Sequence, residues 1–325
     1  MSGNSIQSVF LEKVRTSLPS NIAFADEFAE ILSISRDSAY RRIRGETVLS
    51  LDEVSVICKH FKMSLDEIIS PSAEIVSFQN RFVTEADFTF EMWLKSIEGN
   101  LDMLKSVPDR EMIISAKDVP ILYYFKTPEL SAFKMFFWMK TILRYSNYSE
   151  EQYRPELVPN ELLALGKRIQ EKFTSIERTE LWSEDTVHAS LRQIEFYHEC
   201  GFFHSPHQGQ HLCDEILNAM MEVKNAAAEA NAPEGNARFQ LFKNEILIAD
   251  NTFLFRMHDQ YAVFINHNTL NILSTAHKSF CLQTERYLRN LLNKATKISG
   301  TGEKERHKFF NGIEEKIKSL KKRIS

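Results

Sequence analysis

Four guanidinium groups fall within nine consecutive residues of the run Ser35-Arg36-Asp37-Ser38-Ala39-Tyr40-Arg41-Arg42-Ile43-Arg44-Gly45. A guanidinium presents a planar fork of N–H donors that matches the paired acceptors on a guanine edge or the oxygens of a phosphate. Ser35 has the hydroxyl of a helix N-cap, and Gly45 can take the left-handed conformation that ends a helix, so the run reads as a short helix delimited at both ends. At about 100° per residue, Ala39 and Ile43 share one side while Asp37, Ser38, Arg41 and Arg44 gather on the other. So many arginines on so short a helix point to recognition rather than folding.

A second stretch carries metal-ligating chemistry. His198, Cys200, His204, His207, His211 and Cys213 lie close together, and imidazole and thiolate are the ligands zinc, copper or nickel takes. Pro206 and Gly209 interrupt the helix that would set His207 and His211 on one face, and the spacing matches no zinc signature. A polar loop joining two helices is the expectation, with a His/Cys metal site as the alternative. Signatures of catalysis are missing: no glycine-rich dinucleotide loop, phosphate loop, nucleophile elbow or His-Glu-x-x-His is found, and ten glycines leave few backbone cradles. No enzyme and no cofactor is expected.

The arginine helix needs a scaffold. Before it, Phe24, Phe28, Ile31 and Leu32 define a helix with the small Ala29 among them, joined to the arginine helix by Ser33-Ile34, a connection short enough to require a tight turn. After it, Ser50-Leu51-Asp52-Glu53 is a capping box that opens a helix with the stripe Leu51, Val54, Ile57, Cys58, Phe61. A second box, Ser64-Leu65-Asp66-Glu67, opens a short fifth helix ending before Pro71. Ile6, Val9, Phe10 and Val14 mark a first helix that closes the small core.

Phe28-Ala29-x-x-Leu32-Ser33-Ile34-Ser35, the arginine-rich helix closing at Gly45 and the Leu65-Asp66-Glu67-Ile68 ending together resemble the Cro/cI-type, lambda-repressor-like helix-turn-helix family. The resemblance spans Ile6 to Ile69, about a fifth of the chain. It implies that the arginine helix lies in the major groove of double-stranded DNA, with Arg36, Asp37 and Arg41 at base edges and Tyr40, Arg42 and Arg44 on phosphates, Ser38 sharing the reading side. Ser33 stands where the family has glycine; a left-handed serine there carries a modest penalty, which leaves room for a slightly different turn. Arg42 stands where the family has an apolar residue, which leaves the core position to Ile43. The reading further requires the arginines to be exposed rather than tied up in internal ion pairs.

The chain has 325 residues and a formal net charge of -4, so no global field attracts nucleic acid. Residues 1 to 70 hold eight basic and ten acidic side chains, half of the basic ones between 36 and 44. Binding must then depend on a local patch and weaken steeply with salt. Four widely spaced cysteines suggest no disulfide framework, the N-terminal stretch has no signal-peptide pattern, and no apolar run is long enough for a membrane span. A cytoplasmic protein without membrane contact is expected.

Beyond Pro71 the sequence predicts a linker over 71–84 and a larger domain over 85–325. Phe90, Leu94, Ile97, Leu101 and Leu104 give a long helix, and Met112-Ile113-Ile114 a short strand candidate. The helix around Phe133 to Leu143 is apolar nearly all round, so it is a central core helix, a ligand pocket wall or a subunit interface. The pattern from Pro159 to Ala232 reads as helical throughout. Phe239 to Ile265 reads as a three-stranded antiparallel meander with turns at Asp250-Asn251 and His258-Asp259, and Thr275 to Gly300 as a helix. A terminal amphipathic helix carries Phe310, Ile313, Ile317 and Leu320. The expected fold is therefore mainly α: a five-helix lambda-repressor-like domain over 1–70, and a larger helical dimerisation and sensing domain with a small antiparallel β-meander. The expected function is a sequence-specific transcriptional regulator acting as a homodimer. The alternative is a receptor for a small-molecule or peptide effector, which would show a closed apolar cavity in residues 85–325.

Overall fold

The computed structural model describes residues 5–16, 18, 23–61, 63–65, 75–80, 89–230, 239–245 and 248–325. The chain divides into two compact units, Met1–Ser77 and Phe78–Ser325.

The first unit contains α1 (Ile6–Thr16), α2 (Phe24–Leu32), α3 (Arg36–Ile43) and α4 (Leu51–Phe61). Their apolar stripes meet in a core of Phe10, Leu11, Val14, Phe28, Ala39 and Ile57, with Ile43 packed against its edge. The Ser50 box forms as a reciprocal pair: Ser50 N–H donates to Glu53 Oε2 at 2.9 Å and Glu53 N–H to Ser50 Oγ at 3.2 Å. Gln7 ties α1 to the far end of α3, donating to the Arg42 and Thr47 carbonyls at 2.9 Å each and accepting from Leu49 N–H at 3.0 Å. The expected fifth helix falls on residues 66–70, outside the described residues.

The second unit corrects the expected fold class. It is built on an eight-stranded mixed sheet rather than a helical domain with a small meander. The strands are β1 (Gln79–Asn80), β2 (Arg110–Ala116), β3 (Arg178–Trp182), β4 (Phe239–Lys243), β5 (Thr252–Met257), β6 (Gln260–His267), β7 (Asn271–Thr275) and β8 (Thr296–Lys297), in the spatial order β1-β7-β6-β5-β2-β3-β4-β8. β2, β3 and β4 run parallel, so the chain must cross over between them, and helices supply both crossovers. The first passes through a 3-10 turn (Ile121–Lys126), α6 (Pro128–Phe137) and α7 (Asn160–Thr174); the second through α8 (His188–Glu199) and α9 (Gln208–Ala228). The antiparallel half comprises β5, β6, β7 and β1, with α5 (Phe90–Lys105) before β2 and α10 (Lys278–Lys294) after β7.

Three sequence expectations change as a result. The stretch expected to be helical from 159 to 232 is cut by β3. The His258-Asp259 hairpin joins β5 to β6, but β4 pairs with β3 and β8 instead of β5, so Asp250-Asn251 is not a hairpin turn. The expected helix ending at Gly300 stops at Lys294, and Thr296–Lys297 becomes the edge strand β8.

β2 explains the layering. Met112, Ile114 and Ala116 face the main core with α5, α6 and α7, while Ile113 faces a smaller cluster with Leu254, Val263, Cys281 and Leu288 under α10. Both faces are covered, which is why this strand reads as a continuous apolar run. α6 is buried throughout, from Leu130 to Phe137, and α11 (Glu303–Arg323) buries Phe309, Phe310, Ile313, Ile317 and Leu320 against the same core. The helix considered as a subunit interface, α6, and the apolar stripe of the terminal helix are therefore spent inside the chain. Among the described residues, no helix is long and apolar enough to cross a membrane.

Candidate functional site

The turn between α2 and α3 is tight. Ser33 has φ 52° and ψ 43°, the left-handed conformation expected of it, and Ile34 N–H returns to the Ala29 carbonyl at 3.0 Å. A non-glycine residue there carries a penalty of about 1 kcal/mol. Ser35 then caps α3, its hydroxyl accepting from Ser38 N–H at 3.2 Å and donating to Ser38 Oγ at 2.9 Å. Gly45, at φ 78°, ends the element. Ala39 is the one fully buried residue of α3, and Arg36, Asp37, Tyr40, Arg41 and Arg44 are exposed, with Ser38 half-buried.

Each arginine has a carboxylate nearby. Arg36 Nε lies 2.7 Å from Asp26, and Arg44 Nε 3.1 Å and Arg41 Nε 3.8 Å from the two oxygens of Glu46. These side chains remain 57 to 63% exposed. Pairs of this kind are worth about 0 to 1 kcal/mol in water and exchange readily for another anion. Arg42 differs. Only 19% exposed, it donates from Nε and Nη2 to Glu53 Oε1 at 3.0 and 2.8 Å, and from Nη1 to the Ser38 carbonyl at 3.3 Å. It joins α3 to α4, and Ile43 with Ala39 faces the core. Burial alone would raise the Glu53 carboxyl, but the Arg42 and Ser50 hydrogen bonds outweigh it and hold the group below the usual carboxylate range.

The second unit holds a cavity of about 420 Å³ beyond the carboxyl end of β2, beneath α5 and against the antiparallel half of the sheet. Trp93 and Trp138 form one wall, with ring centroids 5.4 Å apart, and Phe253 and Phe255 another. Lys134, Asp118, Ser190 and Gln193 supply its polar groups. Lys134 and Trp138 stand four residues apart where α6 opens into a π-helical turn, Trp138–Ile142. Thr186 donates to the Ala116 carbonyl at 3.2 Å, fixing the start of α8, and hence Ser190 and Gln193, at the end of β2. Asp118 N–H donates to Asn251 Oδ1 at 3.0 Å, which holds the loop after β2 against the entry to β5.

Lys134 is 5% exposed. Its ammonium donates to Ser190 Oγ at 2.8 Å and Gln193 Oε1 at 2.6 Å and lies 5.0 Å from the Tyr124 ring centroid. Burial presses it from the lysine range down to about 7, with the Asp118 charge pulling the other way. Burial raises the Asp118 carboxyl, and Lys134, Lys117 and His188 oppose that rise. None of these residues was singled out from sequence. The available signal was Lys134 itself, a charge in the middle of a helix apolar on every side, where a lysine is rarely buried without a purpose.

The histidine stretch does not assemble. His198, Cys200, His204, His207 and His211 are exposed, whereas Cys213 is buried in the main core with its thiol pushed up to about 12. Among the described residues no three His, Cys, Asp or Glu side chains are grouped to hold a metal ion.

No protein-family model, curated protein or solved structure matches this chain. Its functional reading therefore stands on the two sites just described.

Proposed function

We propose that the protein is a sequence-specific DNA-binding transcriptional regulator, with α3 in the major groove and the cavity of the second unit as the site of a small-molecule effector. The observation that carries the first half is the capped, exposed α3 behind the left-handed Ser33. It offers Arg36, Asp37 and Arg41 on one edge, with Arg44 and Tyr40 beside them for phosphate. Arg36 and Arg41 are the guanine readers, exchanging Asp26 and Glu46 for base edges. Arg42 serves the α3–α4 junction instead. A single short helix reads few base pairs, so the reading includes a homodimer that places two such helices about 34 Å apart. That dimer must use surfaces other than α6 and the apolar stripe of α11, which are buried inside the unit. A regulator of this kind works in a reducing cytoplasm, where its four cysteines stay free.

The test is a shift assay on sites first located by genome-wide footprinting. Arg36→Ala and Arg41→Ala should each lose about 1 to 3 kcal/mol of affinity and relax base preference at one position. Unchanged affinity in both would remove the DNA reading and leave the receptor reading, in which the second unit carries the principal function. The cavity favours that second reading independently of α3.

A further inference from the structure

The cavity of the second unit presents an unusual set of unmet demands. Lys134 has three N–H donors, of which Ser190 and Gln193 take two, and both partners are neutral. Asp118 lines the same space with Lys117 beside it; Lys134 and Asp118 form no ion pair with each other, although each feels the other's charge and Asp118 also that of Lys117 and His188. A buried cation and a half-buried anion facing one cavity without touching is a costly arrangement unless something charged at both ends lies between them. Two further donors are stranded. Among the described residues the indole N–H groups of Trp93 and Trp138 have no hydrogen-bond partner, and their nitrogens are closed off from the cavity that the rings line. Buried indole donors in folded proteins normally find an acceptor.

The walls restrict the candidates. Aromatic rings on two sides call for an apolar body, and a cavity of about 420 Å³ fits a molecule the size of a single amino acid or slightly larger. A simple carboxylate would meet Lys134 but be repelled by Asp118. A simple amine would suffer the reverse. A phosphate ester brings two negative charges to a site lined by Lys117, Lys134, Asp118 and Asp250, whose own charges already balance. A zwitterion satisfies both groups and adds no net charge to the interior.

We infer that this cavity binds a free amino acid with a large apolar or aromatic side chain, its carboxylate beside Lys134, its ammonium beside Asp118 and its side chain against the aromatic walls. The inference rests on reading the cavity as an effector site; it does not depend on what α3 binds.

Calorimetric titration of the full chain, without DNA, decides it. The probes are L-phenylalanine, L-leucine and L-tryptophan, with 3-phenylpropionate and 2-phenylethylamine as the forms lacking one charge. At least one amino acid should bind at sub-millimolar concentration, and removing either charged group from phenylalanine should weaken binding at least about tenfold. Lys134→Met should erase the preference for phenylalanine over 2-phenylethylamine, and Asp118→Asn the preference over 3-phenylpropionate. No binding of any of the three amino acids at about 10 mM overturns the inference. So does equal binding of phenylalanine and 3-phenylpropionate, or unchanged binding in Lys134→Met. If either variant fails to fold, the five probes on the unaltered chain still give the answer. Since these titrations contain no DNA, their failure leaves the major-groove reading standing, and loss of DNA binding in the shift assay leaves this one standing.

Discussion

Arg42 and Glu53 meet at 2.8 Å across the junction of α3 and α4, and Glu53 at the same time closes the capping box of α4 through Ser50. One carboxylate thus fixes the start of one helix and the end of another. The orientation of α3 against its scaffold is set by a side chain on α3 itself, on the flank away from Asp37 and Arg41.

Arg42→Ala should therefore loosen the first unit rather than merely remove a positive charge. A half-buried, charge-assisted hydrogen bond of this type is worth about 1.5 to 3 kcal/mol. Faster amide exchange in α3 and α4 is the expected readout. Because the Glu53 carboxyl is held below its ordinary value, the stabilising contribution is complete above about pH 4.5 and is lost as pH falls through the lowered folded value. The difference between variant and parent should shrink in acid.

Asp26→Asn tests whether the exposed pair with Arg36 competes with DNA. It frees the Arg36 guanidinium and removes a negative charge beside the edge of α3 proposed to enter the groove. DNA affinity should rise about two- to tenfold, with a larger gain at low salt. Binding that is unchanged or weaker would mean that Asp26 positions Arg36 instead of competing for it.

In the second unit, Glu180 is fully buried on β3 and accepts from Arg178 Nε at 2.7 Å, from Trp182 Nε1 at 2.8 Å and from the Tyr123 hydroxyl. The Arg178 guanidinium lies between the Phe173 and Phe239 rings, 4.6 and 4.4 Å from their centroids. Glu180→Gln leaves that cation unneutralised and should cost about 3 to 5 kcal/mol, measured by denaturant unfolding. All three tryptophans, Trp93, Trp138 and Trp182, lie in this unit, so their fluorescence reports it selectively. The double variant Arg178→Met with Glu180→Leu should lose less than Glu180→Gln alone.

Lys134→Met should stabilise the second unit at neutral pH and below. The folded ammonium titrates at about 7 against 10.5 for an unperturbed lysine. Between those values the unfolded chain holds a proton that the folded chain lacks, so the parent gains stability as pH rises through the window. Below about pH 7 the full cost of the buried charge remains, on the order of a few kcal/mol. Its advantage over the parent should be greatest near pH 6 and fade toward pH 10. Burial also raises the Cys213 and Cys281 thiols, to about 12 and about 11, which gives a slope of opposite sign. That slope is common to both proteins and cancels in the comparison.

The sequence by itself determined the elements that local chemistry specifies. Ser35, Gly45 and the Ser50 box mark where α3 begins, where it ends and where α4 begins, because caps satisfy backbone groups within a few residues of themselves. The apolar stripes of α5 and α11 were equally legible, since a helix writes its buried face in its own periodicity. Only the tertiary structure decided the rest. β3 was invisible because Arg178 and Glu180 make it look like solvent-facing helix, and their burial is tolerable only once the two side chains meet each other and the rings of Phe173 and Phe239. With β3 missing, the parallel register of β2, β3 and β4 could not be inferred, for parallel pairing joins segments tens of residues apart. The exposure of each arginine and the convergence of Lys134, Asp118, Trp93 and Trp138 on one cavity depend in the same way on distance in space. A charge and its partner leave no mark on the sequence between them.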